Sequence, residues 1–251
     1  MDLIIAGFRL RGMMMKVLGI DSSSLVASVA VVTDEVLTAE YTVNFKKTHS
    51  QTLLPMIDEV VSMLEMDLHE VDAIAVSGGP GSFTGLRIGT ATAKGLGLAL
   101  EKPLIHVPTV DAMAYNLWGS EALICPIMDA RRNQVYTGLY HCRRELEIVM
   151  SQCAMDMMEL IQKLNAMGEP VIFLGDGVPV CREMVEKNMT VSFDFAPAQN
   201  NRQRAASVAS LGMQYLREGR IVSAAEFEPD YLRKSQAERE REAAEAAKKE
   251  A

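Results

Sequence analysis

Val17-Leu18-Gly19-Ile20-Asp21 is a short apolar run that ends in an acid, and Ser22-Ser23-Ser24 follows it as a turn. Val26 to Val32 and Val36 to Phe45, joined by Thr33-Asp34-Glu35, predict two further strands and, with the first, a three-stranded meander. Thr52 to Leu64 has helical spacing, with Ser50 or Thr52 as N-cap and Pro55 tolerable only in the first turn. Asp72 to Ser77 predicts a buried strand, Gly78-Gly79-Pro80-Gly81 a tight loop, Phe83 to Leu100 a long helix and Pro103 to Val107 a short strand. The order β-β-β-α-β-α-β is a complete mixed α/β unit.

The pattern then restarts. Ile124-Cys125-Pro126-Ile127-Met128-Asp129 is again an apolar run ending in an acid, followed by a polar turn, Ala130 to Gln134, and an alternating strand, Val135 to Tyr140. Residues 146–153 supply a third strand; a helix over 155–167, the strand Val171 to Leu174 and helices near 179–188 and 205–218 complete the set. Each half opens strand–Asp–turn–strand. We read a diverged internal duplication, against the simpler alternative that an aspartate after a strand is common at turns. The expected organisation is an N-terminal extension (1–14), an N-terminal lobe (15–107), a C-terminal lobe (108–222) and a C-terminal segment with a charged tail (223–251). Met13-Met14-Met15 offers alternative starts. The earlier Leu3–Phe8 run is too short for a membrane span, and its flanking charges are the reverse of a secretory signal. Glu238 to Ala251 alternates charge with alanine, as a solvated helix or frayed tail does.

Composition narrows the classes. With 251 residues, 49% hydrophobic and 23% charged, the chain supports a sizeable core. A net charge of −8 repels phosphate and aromatics are only 6%, which argues against autonomous nucleic-acid binding. Cysteines 125, 142, 153 and 181 have no CxxC spacing and read as reduced thiols of a cytoplasmic protein. Histidines 49, 69, 106 and 141 form neither HExxH nor a close pair, so no zinc site is expected.

Chemistry could sit in a few places. Asp21, ending a strand before small hydroxyl residues, suits metal and phosphate handling, or simply caps a turn. Gly78 to Gly85 lies between a strand and a helix N-terminus, where N–H groups and the helix dipole favour anions. It is neither a Walker A loop nor GxGxxG, and Gly79-Pro80-Gly81-Ser82-Phe83 is not a GxSxG elbow. In the following helix Gly85, Gly89, Ala93 and Gly97 form one small-residue stripe. Each glycine costs about 0.5–1 kcal/mol against alanine, so another backbone is expected close by, either internal or a partner's. In the earlier helix the apolar residues cover about 180°, more than one buried face needs; the excess is either deeper burial or an exposed strip of the kind that marks interfaces.

These residues carry a resemblance. Val17 to Ser23, His49-Ser50-Gln51 to Ile57-Asp58, the long run Ser77 to Gly89, Ala93-Lys94-Gly95-Leu96 and the ending Pro229-Asp230-Tyr231-Leu232-Arg233-Lys234 resemble the bacterial TsaB (YeaZ) family, across residues 15–235. The resemblance implies an α/β, duplicated two-lobed fold of the actin-like, sugar kinase and heat-shock chaperone class (RNase H-like). It also implies a cytoplasmic, non-catalytic subunit of the machinery that makes threonylcarbamoyladenosine in tRNA. The implied partners are a TsaD-like catalytic subunit, a TsaE-like ATPase and a second copy of the chain, with tRNA met only through the complex; no membrane and no cofactor are expected. Where the TsaD paralogue carries His-x-x-x-His, this sequence has Thr109 and Met113. Neither suits a hard divalent cation, so no metal centre and no catalytic residue are expected. The family's partner contact uses two helices matching 50–64 and 83–98. The expected interface residues are therefore Leu53, Leu54, Ile57, Val61, Phe83, Arg87, Ala91 and Lys94. Asp21, Ser22, Gly79, Gly81 and Ser82 would form a vestigial phosphate site.

Two other readings stay open at this point. One is an ATP- or sugar-phosphate-binding enzyme of the same fold, using Asp21, the 78–81 loop and Asp129. The other is a metallopeptidase, disfavoured by the lack of a ligand set.

Overall fold

The structure, a computed structural model, describes residues 14–45 and 49–232. The expected extension up to residue 13, Arg233-Lys234 and the charged tail lie outside the described residues.

Lys16–Asp21 (β1), Val26–Thr33 (β2) and Val36–Asn44 (β3) form the expected antiparallel meander. His49–Met63 (α1), Ala73–Gly79 (β4), Phe83–Leu100 (α2) and Leu104–Pro108 (β5) complete a sheet of order β3-β2-β1-β4-β5. After Thr109–Tyr115 (α3) the plan repeats as Ser120–Asp129 (β6), Gln134–Cys142 (β7), Leu146–Asp156 (β8), Met157–Met167 (α4), Val171–Leu174 (β9), Val178–Asn188 (α5) and Phe193–Phe195 (β10). The last helix is Ala205–Arg217 (α6). The second sheet, β10-β9-β6-β7-β8, has the same connectivity as the first, with β6–β9 and β9–β10 parallel as β1–β4 and β4–β5 are. The duplication read from two Asp-ended strands is therefore present in the topology.

Alternation along β1 and β4 divides two cores. Leu18, Ile20, Ile74 and Val76 face α1 and α2, whereas Val17, Ala73 and Ala75 face α6. In the second sheet Leu123, Cys125 and Ile127 face α4 and α5, and Ile124 and Met128 face α3. Each half's last helix thus packs on the other half's sheet, and α3 and α6 meet in the middle. The layers run α1/α2, sheet, α3/α6, sheet, α4/α5. Small residues allow the central contact. A methyl on Gly19 would come 2.6 Å from the Ala205 carbonyl oxygen, and one on Gly212 2.5 Å from Cβ of Ala75.

Three expectations need correction. The first helix spans His49–Met63, so Ser50 and Thr52 lie inside it and Pro55 is its seventh described residue, on the exposed side. Nε2 of His49, 2.7 Å from the Ser24 carbonyl oxygen, ties that extra turn to the β1–β2 corner. Gly78 and Gly79 belong to β4, and the loop begins at Pro80. Neither α3 nor β10 was expected. Six of the seven residues of α3 are buried, so its sequence has no polar face to reveal a helix.

The chain then returns to the first sheet. Leu104 and Val222 exchange both backbone hydrogen bonds at 2.9 Å, and Phe227 is buried in the α1/α2 core. Lys94 Nζ donates to the carbonyls of Ala225 and Phe227, both at 3.0 Å, and the Asp230 N–H donates to the Gly78 carbonyl at 2.6 Å. Residues 222–232 form a strap along α2.

Candidate functional site

The ends of β1 and β4 bring together the residues expected to form a vestigial phosphate site. Asp21 is 1% exposed. Its Oδ1 accepts from the N–H and hydroxyl of Ser23 at 2.9 and 2.8 Å, and its Oδ2 accepts from the Ser77 hydroxyl at 2.5 Å. Burial raises its pKa above the ordinary aspartate value, against the lowering effect of the Ser77 and Ser23 hydrogen bonds. The Ser22 hydroxyl donates to the Gly85 carbonyl at 2.8 Å, and the Ser82 N–H donates to the Ser23 carbonyl at 2.6 Å. The loop after β4 therefore lies directly on the β1–β2 corner. Gly81 and Gly85 are what permit this: a methyl on either would overlap the backbone oxygen of Ser23 or Ser22. Gly79, at φ +117°, is pressed by the Asp230 carbonyl in the same way, and Ser82 caps α2 through the Gly85 N–H at 3.3 Å. All five residues expected at a vestigial phosphate site come together here. The hydroxyls of Ser22 and Ser23 and the carboxylate of Asp21 are engaged with the protein itself.

A cleft of about 830 Å³ lies beside this corner. Ser24, His49 and Thr84 line one side, and Asp129, Asp176 and Arg202 the other. Asp129 ends β6 as Asp21 ends β1, but its Oδ1 accepts the Arg131 N–H at 2.8 Å and its Oδ2 pairs with Arg131 Nη1 at 2.9 Å. Asp176, after β9, accepts from Gln203 Nε2 at 3.1 Å, and burial raises its pKa. Arg202 Nη1 donates to the carbonyls of Gly175 and Asn201 at 2.8 and 3.0 Å. The acids lining the cleft are thus Asp129 and Asp176 of the second repeat and Asp230 of the strap. Sequence reading missed Asp176; its signal was Gly175-Asp176-Gly177, between β9 and α5 as the Pro80–Ser82 loop lies between β4 and α2.

The positions matched to the paralogue's histidines do not fit a metal. The Thr109 hydroxyl accepts the Gly79 N–H at 3.2 Å, and Met113 is buried among apolar residues of the second sheet. Beside them Asp111, its pKa raised by burial, accepts from the Tyr140 hydroxyl at 2.7 Å, tying α3 to β7. Among the described residues no group of three or more His, Cys, Asp or Glu could hold a metal ion. The Cys125 thiol, fully buried, is pushed up to about 12.

The outer helices divide the expected interface residues. Leu53 and Ile57 are buried in the chain's own core, and Val61 packs against it half-buried, so most of the apolar width of α1 is internal. Leu54 is 55% exposed, and Met63 is exposed beyond it. The stripe Gly85, Gly89, Ala93 and Gly97 faces inward, against Ser22, Val76, Leu104 and the strap's Ala224. The outward line of α2 is instead Thr84, Arg87, Ala91, Gly95 and Leu98. Phe83 is half-buried under the Arg87 guanidinium, 4.2 Å from the ring centroid, and Tyr231, whose ring lies 4.8 Å away. Lys94 is held by the strap. Of the eight, Leu54, Arg87 and Ala91 are the exposed ones. No helix among the described residues is long and apolar enough to cross a membrane.

Known proteins resemble the chain in both sequence and geometry. The family model described as "TsaD: tRNA N6-adenosine threonylcarbamoyltransferase" matches residues 39–241. The tRNA threonylcarbamoyladenosine biosynthesis protein TsaB of Bacillus subtilis is 34% identical over 227 residues, 89% of this chain and 96% of that protein. The solved structure of YeaZ from Pseudomonas aeruginosa superposes with TM-score 0.75 at 26% identity, covering 87% of this chain and all of that one. An inorganic polyphosphate/ATP-glucomannokinase from Arthrobacter shares the fold alone, at TM-score 0.50 and 11% identity over 81% of this chain and 99% of that one. The glucomannokinase shares the fold alone, the similarity to TsaB runs over nearly the whole of both chains, and the chain belongs to the TsaB (YeaZ) family.

Proposed function

We propose that this chain is a non-catalytic, cytoplasmic subunit of the complex that makes threonylcarbamoyladenosine in tRNA, where it binds and supports the TsaD-like transferase subunit. The relatives' names supply the pathway. The observation that carries the supporting role is the state of the first repeat's site. Asp21 and the hydroxyls of Ser22 and Ser23 are engaged internally, and the Ser82–Ser23 bond ties the glycine loop onto the corner at the cleft wall. A kinase-like reaction would need that corner open to phosphate. Docking uses the outward line of α2 with Leu54 of α1, exposed residues that are small or apolar except for Thr84 and Arg87 and on which another helix can lie. The same strip pairs two copies of the chain when the transferase is absent. A TsaE-like ATPase joins the pair, and tRNA is held by the assembly, as the chain's own charge of −8 favours.

The test mixes the purified chain with the transferase subunit of the same organism and measures mass by light scattering after size exclusion. Wild type gives a heterodimer, and Leu54→Arg and Ala91→Arg, both at exposed positions, lose it. Reconstituted modification of tRNA falls with the same variants, whereas Asp21→Asn leaves it unchanged. Complex formation by both arginine variants at wild-type affinity would overturn the docking face. Nucleotide hydrolysis by the chain alone, abolished by Asp21→Asn, would favour the enzyme reading instead.

A further inference from the structure

Two of the three residues at which α2 should meet a partner through a long side chain are in fact occupied by the strap. Tyr231 covers Phe83, and Lys94 holds the carbonyls of Ala225 and Phe227. The strap is fixed at five further points: the Leu104–Val222 pairing, buried Phe227, its ring contact with His106 at 5.6 Å, the His106–Asp230 contact at 3.4 Å and the Asp230 N–H to Gly78 bond. Two large apolar residues at its far end, at the rim where α2 meets the cleft, are nonetheless left open, Tyr231 at 41% and Leu232 at 38%. A segment so pinned does not need to be ordered on binding, and an aromatic ring held in advance gives contact at low entropic cost. Through Phe83 and Arg87 this end is continuous with the outward line of α2.

We infer that the strap is the third element of the docking face, with Tyr231 as a contact residue for the transferase subunit and Lys94 as a positioning residue that acts through the strap. The inference rests on the docking reading above. It changes which side chains meet the partner: Phe83 supports Tyr231 from beneath, and Lys94 touches no partner atom. Tyrosine beside an arginine-capped aromatic is the composition that dominates binding energy at interfaces.

Affinity for the transferase subunit is measured for Tyr231→Ala, Lys94→Met, Lys94→Arg, the Tyr231→Ala/Lys94→Met double variant and Ala91→Arg, with the thermal midpoint of each free chain. Tyr231→Ala weakens binding about tenfold or more with an unchanged midpoint. Lys94→Met weakens it by a similar factor, and Lys94→Arg restores most of the loss because its guanidinium still reaches a strap carbonyl. The double variant is weakened by less than the product of the two single factors, since both act through one element. Wild-type affinity for Tyr231→Ala together with lost binding for Ala91→Arg would overturn the strap's part and leave the helix face standing. Strictly multiplicative losses would overturn the role given to Lys94. Wild-type affinity for Ala91→Arg would remove the docking reading itself.

Discussion

The two repeats share one topology and treat the same corner in different ways. At the end of β1, Asp21 is buried under three hydrogen bonds and the loop after β4 lies on the hairpin turn. At the end of β6, Asp129 lines the cleft, paired with Arg131 and close to Asp176, in a turn where Arg131, Arg132 and Asn133 all have positive φ. The helix that follows differs accordingly. The third residue of α2 is Gly85, pressed on the Ser22 carbonyl; the third residue of α5 is Val180, 67% exposed at the cleft. Both corners are packed through glycines, Gly175 and Gly177 against the Ile127 carbonyl as Gly81 and Gly85 against Ser23 and Ser22, but only in the first is the hairpin turn itself covered. A duplicated fold can thus keep its connectivity while one copy of its ligand corner becomes part of the scaffold.

The sharpest break of this contrast is a matched pair at those third positions. Gly85→Val must displace backbone, because the atom in its way is the Ser22 carbonyl oxygen and not the end of a flexible side chain. It costs about 4 kcal/mol or more, enough to unfold a marginal domain. Val180→Gly removes an exposed side chain near a helix start and costs about 1 kcal/mol or less. Urea midpoints of the two purified variants make the comparison, and equal losses would mean that the two corners are packed alike.

The acids themselves come next. Asp21→Ala leaves the Ser77 hydroxyl and the Ser23 N–H buried without an acceptor, at a cost of about 3 kcal/mol. Asp129→Ala loses a turn hydrogen bond and a partly exposed ion pair, and costs about 1 kcal/mol or less. A larger effect at Asp129, read by the same denaturation curves, would reverse the assignment of scaffold and surface.

A pH series separates burial from hydrogen bonding at Asp21. Burial raises its folded pKa, so between the unfolded and folded values the folded chain binds more protons than the unfolded one. Stability therefore falls as pH rises from about 4, the ordinary carboxyl value, through the raised pKa. Asp111 and Asp176, raised by burial too, contribute with the same sign. Asp21→Asn keeps the shape and removes one ionisation, so unfolding free energy measured from about pH 4 to 6 falls less steeply than in wild type. An unchanged slope would mean that Asp21 ionises at no cost in the folded chain.

How much of this the sequence could carry depends on the range of the contacts involved. Strands ending in Asp21 and Asp129 and the helix from Phe83 to Leu100 were legible because hydrophobic period, caps and turns are local signals. The small-residue stripe of α2 was legible as a demand for close approach, but not its partner. Ser22 is 63 residues from Gly85, and nothing in spacing says that the two backbones meet. Asp21 looked like a ligand group because its third hydrogen bond comes from Ser77, on another strand. Lys94 looked like a surface cation because its acceptors lie more than a hundred residues on, at Ala225 and Phe227. On α1 the facing was in principle readable: Leu53, Met56, Ile57 and Val60 share one side, and Leu54 does not. The swap of α3 and α6 between sheets had no sequence signal, since a helix buried on most sides loses the polar face that would orient it.

The smallest expected effect tests the same helix from its other side. Gly95 lies on the outward line of α2, and a methyl there would meet nothing within 4 Å, whereas methyls on Gly85 and Gly89 would strike Ser22. An unpacked glycine inside a helix carries only its conformational penalty, so Gly95→Ala stabilises the free chain by about 0.5–1 kcal/mol. Differential scanning calorimetry of the free chain reads this as a small rise in midpoint. A fall would mean that the outer side of α2 is already covered in solution, as it would be in a tightly packed pair of copies. Repeating the measurement across a hundredfold range of protein concentration distinguishes that case, because the midpoint of a dimer depends on concentration and that of a monomer does not. A concentration-independent rise would leave α2 with one side closed by its own fold and the other free to receive a partner.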